Sequence, residues 1–423
     1  MIKNSLLYLL VLWVVQIKAT ALLIPMDNTQ ANHLKAYGIA YIALQNEVQT
    51  DWLLNYRGGS FAFERNAILE KECKIRGVSF ELVADVQYQG ILNQIADPGV
   101  NMDVIRLEKA PRVAVYSPKN KQPWDDAVTL AMTYAEIPYT VVYDEDIIGG
   151  ALKKYDWLHL HHEDFTGQYG KFWYSYKSEA WFKEYVRFNE SLAGKLGFSK
   201  VSMLKLGVAL KIKEYVGNGG FMFAMCAATD SYDIALAAHL TDICGDMFDG
   251  DPMDAQAQKK LDFNNAFAFK DYELVANPAE YEFSAIDATL DHSKLVESQG
   301  VKNDIFTLFD FSAKWDPIPS MLCQNHEKII KGFMGQTTAF RKQYIKSNVL
   351  VMGETKAVGS AKYIHGEYLK GTWTFFGGHD PEDHTHRVHD PPTDLNLYPN
   401  SPGYRLILNN VLFPSAKKKK QKT

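Results

Sequence analysis

The stretch Phe221-Met-Phe-Ala-Met-Cys226-Ala-Ala-Thr-Asp230 restricts the fold of this chain more than any other part of the sequence. Phe221 to Met225 are apolar with no alternation, the pattern of a strand covered on both faces at the centre of a parallel sheet. The strand runs into a cysteine, and a helix is predicted over Tyr232 to Leu240. This is the layout of a nucleophile elbow, a sharp strand-to-helix turn that pushes a reactive side chain outward. Such a turn needs small residues two before and two after the nucleophile, and Ala224 and Ala228 stand there. Backbone N–H groups at the start of the helix, near Ala227, would hold an oxyanion. A buried, inert cysteine fits the same spacing.

The sheet extends in both directions. Val113 to Tyr116, Tyr139 to Tyr143 and Trp157 to His161 read as strands. A helix over Trp124 to Glu136 opens on Asp125 and Asp126, which suit its positive end, and stops before Pro138. Leu204, Val208, Ile212 and Val216 recur at every fourth position and predict a buried helical stripe, ended by Gly217 to Gly220. Val349 to Met352 resumes the sheet, and Ala361 to Tyr368 with Thr372 to Phe376 predicts a hairpin turning at Lys370-Gly371. Ser401 and Pro402 then cap and start a last helix.

Before this region, a strand at Leu22 to Met26, a hairpin over Trp52 to Phe63 and a strand–helix alternation to about Glu108 predict a small unit. Between Gly245 and Asn348 the rhythm breaks, with Pro252, Pro278, Pro317 and Pro319 in an Asp-, Asn- and aromatic-rich stretch. The expected class is therefore α/β. Its parts are a small N-terminal α/β unit (22–108), a parallel-sheet domain (111–244 and 349–413), an insertion lobe (245–348) and a disordered basic tail (414–423).

The ends point to export. Lys3, the apolar run Leu6 to Val15 and the small-x-small Ala19-Thr20-Ala21 form a signal-peptide pattern over 1–21, and no further stretch predicts a transmembrane segment. The expected location is periplasmic or extracellular. The formal net charge is −5, and it becomes more negative once the lysines of the leader and of the KKKKQKT tail are set aside. An acidic body excludes a nucleic-acid binder, because phosphate neutralisation supplies most of that affinity. Cys73, Cys226, Cys244 and Cys323 contain no C-x-x-C pair, so a zinc knuckle is not indicated. Asp246, Asp249, Asp251 and Asp254 lack the ligand spacing of an EF-hand loop. Arg57-Gly58-Gly59-Ser60 lacks the phosphate-loop pattern, and no cofactor is called for.

Two further clusters carry chemistry. Gly377-Gly378-His379-Asp380-Pro381-Glu382 follows a strand, which offers His379 as a general base and Glu382 as its orienter. His159-Leu-His161-His162-Glu163 ends another strand, so that His161, His162 and Glu163 would line a pocket wall beside the elbow. Together with Ala227, Thr229 and Asp230 these form the expected binding set for a small-molecule substrate. The spacing matches no standard metal motif. A metal-assisted hydrolase at His159, His161 and His379 is the lesser alternative, beside a non-catalytic sugar- or peptide-binding module.

The segments Tyr215 to Tyr232 and Gly371 to Glu382, with the closing helix Tyr404 to Phe413, resemble the ThuA-like (trehalose-utilisation) family. That family shares the class I glutamine amidotransferase fold, so the resemblance implies a flavodoxin-like sheet. It also implies an amidotransferase-like hydrolase acting on a carboxamide or related substrate, with Cys226 as nucleophile, His379 as base and Glu382 as the carboxylate. Alanines stand where the amidotransferase elbow has glycines, and two residues rather than one separate His379 from Glu382. The full chain is also similar to exported bacterial proteins labelled asparagine synthetase B. It has no Ser-Gly-Gly pyrophosphate loop, and Ile2 rather than Cys follows Met1.

Overall fold

The computed structural model describes residues 19–118, 126–310, 312–316, 318–322, 327–387 and 389–416. The leader to Lys18, the helix-opening Trp124 and Asp125, Pro317, Cys323 and the lysine tail lie outside the described residues.

The N-terminal unit contributes β1 (Ala19–Ile24), β2 (Thr50–Leu54), β3 (Ser60–Glu64), β4 (Glu81–Ala84) and β5 (Asp103–Leu107). They form one sheet in the order β4-β1-β3-β2-β5, antiparallel throughout. The expected hairpin is β2–β3, pairing Trp52 with Phe61. Ala19, Thr20 and Ala21 belong to β1, where Ala19 pairs with Ala84 and Thr20 O accepts the Arg65 amide at 2.8 Å. The small-x-small segment of the sequence is thus built into a sheet strand.

The second sheet contains β6 (Val113–Tyr116), β7 (Thr140–Val142), β8 (Trp157–Leu160), β9 (Phe221–Met225), β10 (Ile305–Leu308) and β11 (Ile329–Lys331). It also contains β12 (Phe340–Arg341), β13 (Leu350–Thr355), β14 (Ser360–Tyr368) and β15 (Gly371–Phe376). Its order is β11-β10-β13-β14-β15-β9-β8-β6-β7, with β12 paired to β14. From β15 to β7 every pairing is parallel, and from β15 to β11 every pairing is antiparallel. The chain is therefore an α/β protein with a mixed sheet. The all-apolar β9 sits inside the parallel half between β8 and β15, as its lack of alternation requires.

Residues 245–348 are not a separate lobe. β10 and β11 extend the sheet beyond β13, and Phe306, Leu308 and Ile330 join the same core as Phe223 and Met225. The short strands lie among prolines and loops, which hides their period from the sequence.

The N-terminal unit is also continuous with that core. Helix His33–Gln45 packs on helices Ala127–Ala135 and Pro402–Leu412, so closely that a Cβ on Gly38 would collide with the Ala135 carbonyl. Arg405, 2% exposed, is the polar key of this junction. It donates to Tyr37 Oη at 3.1 Å, to Met26 O at 3.0 Å and to Gly58 O. Arg405→Met should leave the buried Gly58 carbonyl without its donor, while Met26 O keeps His33 Nε2 at 2.9 Å. Urea unfolding should show a loss of about 1–3 kcal/mol; a loss below about 0.5 kcal/mol would mean that the junction does not depend on this side chain.

Candidate functional site

Open parallel sheets bind ligands outside the carboxyl ends of their strands, at the point where successive connections leave in opposite directions along the sheet. Here β6 has β7 on one side and β8 on the other, so that point lies between β6 and β8. The segment after β6 and the loops after β8 and β15 supply the chemistry.

Asp126 caps helix Ala127–Ala135, its Oδ1 accepting the amides of Val128 and Thr129 at 2.7 and 2.9 Å. The same carboxylate meets His159 Nε2 at 3.0 Å through Oδ2 and His161 Nδ1 at 3.2 Å through Oδ1. Burial pushes its pKa up, but the two imidazoles outweigh burial and hold it well below the usual range. His159 is fully buried, its ring lying against Trp157 and Phe223, with Nδ1 on Phe223 O.

His161, 1% exposed, stacks on His162 with ring centroids 3.7 Å apart. His379, from the loop after β15, approaches both, at 4.7 and 4.5 Å. His161, His162 and His379 offer ring nitrogens that all lie within 4.8 Å of one another. Among the described residues, His161 Nε2 and both ring nitrogens of the 6% exposed His379 have no hydrogen-bond partner. Burial first, then the neighbouring His162, His161 and His386, hold His379 well below the ordinary imidazole value. The His161 and His162 planes lie 17° from parallel, while the His379 ring is tilted 38° and 31° from them.

A cavity of about 380 Å³ opens on this cluster, lined by Tyr116, Ser117, Asp126, His161, His162 and Glu163 among others. Burial lifts the Glu163 carboxyl to about 7, with Lys205 opposing and Asp144 and Asp164 adding to the rise. Lys205 is itself buried, bonded to Tyr116 Oη at 2.9 Å and Asp144 Oδ2 at 3.1 Å, with Glu163 Oε2 at 3.7 Å. A larger cavity, about 870 Å³, lies at the opposite ends of the strands beside Arg112, Asp156, Gly220 and Gly371, away from these histidines.

The elbow forms, but it does not pair with His379. Cys226 sits at φ 54°, ψ −139°, a strained backbone for a residue other than glycine, and helix Ala227–Ala237 starts immediately after it rather than at Tyr232. Its side chain is enclosed. Cys226 is 3% exposed, and burial pushes the thiol up to about 11 against the pull of the Gln336, Ala227 and Thr337 amides. The Gln336 and Thr337 amides come from the loop at 334–338, which lies against both groups. Gly378 N donates to Thr337 O, His379 N donates to Met334 O, and a Cβ on Gly335 would stand 2.8 Å from His379 N. No hydrogen bond links the thiol to either His379 nitrogen.

Glu382 does not orient His379 either. Its carboxylate faces Lys331 of β11 at 3.6 Å. Thr229 and Asp230 turn inward: Thr229 Oγ1 bonds Cys226 O, and Asp230 Oδ1 accepts from Thr337 Oγ1 at 2.8 Å. Ala227 contributes its amide to the thiol. His161, His162 and Glu163 line the smaller cavity. Asp126 as the shared partner of two histidines was not read from the sequence, where it stood only as a helix-opening acid.

No family model matches the sequence, and no curated protein matches it. Among solved structures, the chain aligns with the cytoplasmic protein STM3548 from Salmonella typhimurium at 10% identity and TM-score 0.33, covering 73% of this chain and 100% of that one. The cytoplasmic protein STM1381 from Salmonella typhimurium LT2 gives 11% identity and TM-score 0.32, covering 72% of this chain and 99% of that one. Gan42B, a GH42 beta-galactosidase from G. stearothermophilus, gives 9% identity and TM-score 0.27, over 64% of this chain and 28% of that enzyme. Likeness at this level carries no argument about fold or activity.

Behind the elbow, burial raises Asp230 to about 7, opposed by its bond to Thr337. A carboxyl raised on folding stabilises the folded state below its ordinary value near 4 and loses that contribution as pH climbs toward 7. Thermal unfolding should therefore show stability falling over that window, and Asp230→Asn should flatten the slope. An unchanged slope in the variant would assign the dependence to other groups.

Proposed function

We propose that this chain is a metal-assisted hydrolase whose divalent cation is held by His161, His162 and His379. The observation that carries the reading is that His161 Nε2 and both ring nitrogens of His379 are buried without hydrogen-bond partners among the described residues, at the carboxyl ends of β8 and β15 and within 4.8 Å of a His162 nitrogen. A buried nitrogen without a partner costs about 1–3 kcal/mol, which ligation removes. Asp126 supports the reading further, because a ligating histidine commonly gives its other ring nitrogen to a carboxylate. Neutral imidazoles suit zinc, copper, iron or nickel. A cation here supplies Lewis-acid polarisation of a carbonyl or phosphoryl oxygen. The chain's own part is to bind substrate in the cavity beside Tyr116 and Ser117, with Glu163 on the same wall to exchange a proton.

The architecture we propose is the flavodoxin-like sheet of the class I glutamine amidotransferases and the ThuA-like family. Numbered from β6, the parallel strands run 2-1-3-4-5, which supports it. Export follows from the leader pattern of Lys3 and Leu6 to Val15 and stands as part of the same proposal.

A thiol hydrolase at Cys226 is the second reading, favoured by the strained φ of 54° and the three amides at the sulfur. Two variants separate the readings. The chelator-stripped chain should bind Zn²⁺, with affinity falling at least about tenfold in His379→Ala. Turnover of an ester and amide panel should be lost in His379→Ala and kept in Cys226→Ala. Turnover lost in Cys226→Ala, together with labelling of that thiol by a glutamine analogue, would overturn the metal reading.

A further inference from the structure

We propose that residues 276–282 form a flap that closes over Cys226 and is latched by Lys171 and Gln336. The inference goes beyond both hydrolase readings and holds under either. The flap has a fixed base, where Val275 N donates to Phe283 O at 3.0 Å and Leu274 bridges Ser284. Between these anchors Ala276, Asn277, Ala279, Glu280 and Tyr281 are exposed, so few side chains pin the segment to the core. Its turn is local: Glu280 N donates to Asn277 O at 3.2 Å and Ala279 N to Asn277 Oδ1 at 3.0 Å.

Main-chain carbonyls hold the flap down instead. Lys171, 2% exposed, gives its ammonium to Val275 O at 2.8 Å and Asn277 O at 3.2 Å. Gln336 Nε2 donates to Tyr281 O at 3.2 Å and to Gly170 O at 2.6 Å. The backbone amide of the same Gln336 faces the Cys226 sulfur, and Tyr281 lies near enough to that sulfur to interact with it electrostatically. One glutamine thus joins the thiol, the flap and the segment that carries Lys171. That segment is strained, with Gly167, Tyr169, Gly170 and Lys171 all at positive φ, 84°, 51°, 68° and 58°. Tyr169 and Lys171 carry side chains that this region disfavours, and strain of this kind gathers at switches. Freeing the two latches relaxes the segment, lifts the flap and lets solvent reach the sulfur.

The test follows alkylation of the full chain by iodoacetamide, with each modified cysteine mapped by mass spectrometry. Cys73, fully buried on helix Ala67–Arg76 of the N-terminal unit, is the internal control. In the native chain Cys226 should react at least about tenfold faster than Cys73, because lifting a flap costs less than unfolding the chain. Lys171→Met and Gln336→Ala should each raise the Cys226 rate by a further factor of about ten, through lost hydrogen bonds to the flap, and leave the Cys73 rate unchanged. A Cys226 rate unmoved in both variants would overturn the flap. The native comparison stands without any variant: equal rates with equal urea dependence at the two cysteines would mean that the sulfur is reached only by global unfolding, and would overturn it as well.

Discussion

The carboxylate of Asp126 does two jobs with one pair of oxygens. It ends the exposed amides of the helix after β6, and it takes up one ring nitrogen each from His159 on β8 and His161 just beyond it. Burying a carboxylate is costly unless it is paired, and here pairing is supplied by the two groups whose orientation matters. The adjoining strands β6 and β8 are thereby locked at their carboxyl ends. The ring of His161 is then fixed before His162 and His379 are brought against it. The cavity, the cluster and any ligand they share inherit their geometry from this one side chain.

A second constraint comes from a remote part of the chain. Residues 334–338 pass between the elbow and the last parallel strand, giving amides to the Cys226 sulfur and carbonyls to the backbone of Gly378 and His379. Glycine at 335 is required because the His379 backbone approaches so closely. The loop turns a cysteine and a histidine on neighbouring strands into members of two different environments. On one side lie Cys226, Asp230, Asp287 and Lys362, where burial drives the acids up and carries the lysine down to about 7. On the other side lie the histidines and the open cavity.

The parallel strands were legible because their apolar runs carry a local signal, and so were the elbow at Cys226 and the Ser401 cap, whose spacing is short-range. The bond pairing expected of Cys226 and His379 was not legible. It turns on residues a hundred positions away that lie between them. Glu382 was read as a partner of His379 from proximity in sequence, yet β11, hidden in a proline-rich stretch, presents Lys331 to it instead. The dual contacts of Asp126 left no pattern beyond an acid at a helix start. Long-range electrostatic pairing has no period, so sequence spacing could not reveal it.

The buried Arg405 joins the last helix to the first ninety residues across a separation of 368 positions to Tyr37 and 379 to Met26. Leu34, Tyr37, Leu408 and Val411 share one core there. Contacts so remote close late, after shorter loops have formed. During synthesis, the oily side of the opening helix must therefore remain uncovered until helix Pro402–Leu412 has been made. A chain interrupted before that helix would be not a slightly trimmed protein but a sticky one, fit for chaperones or proteases.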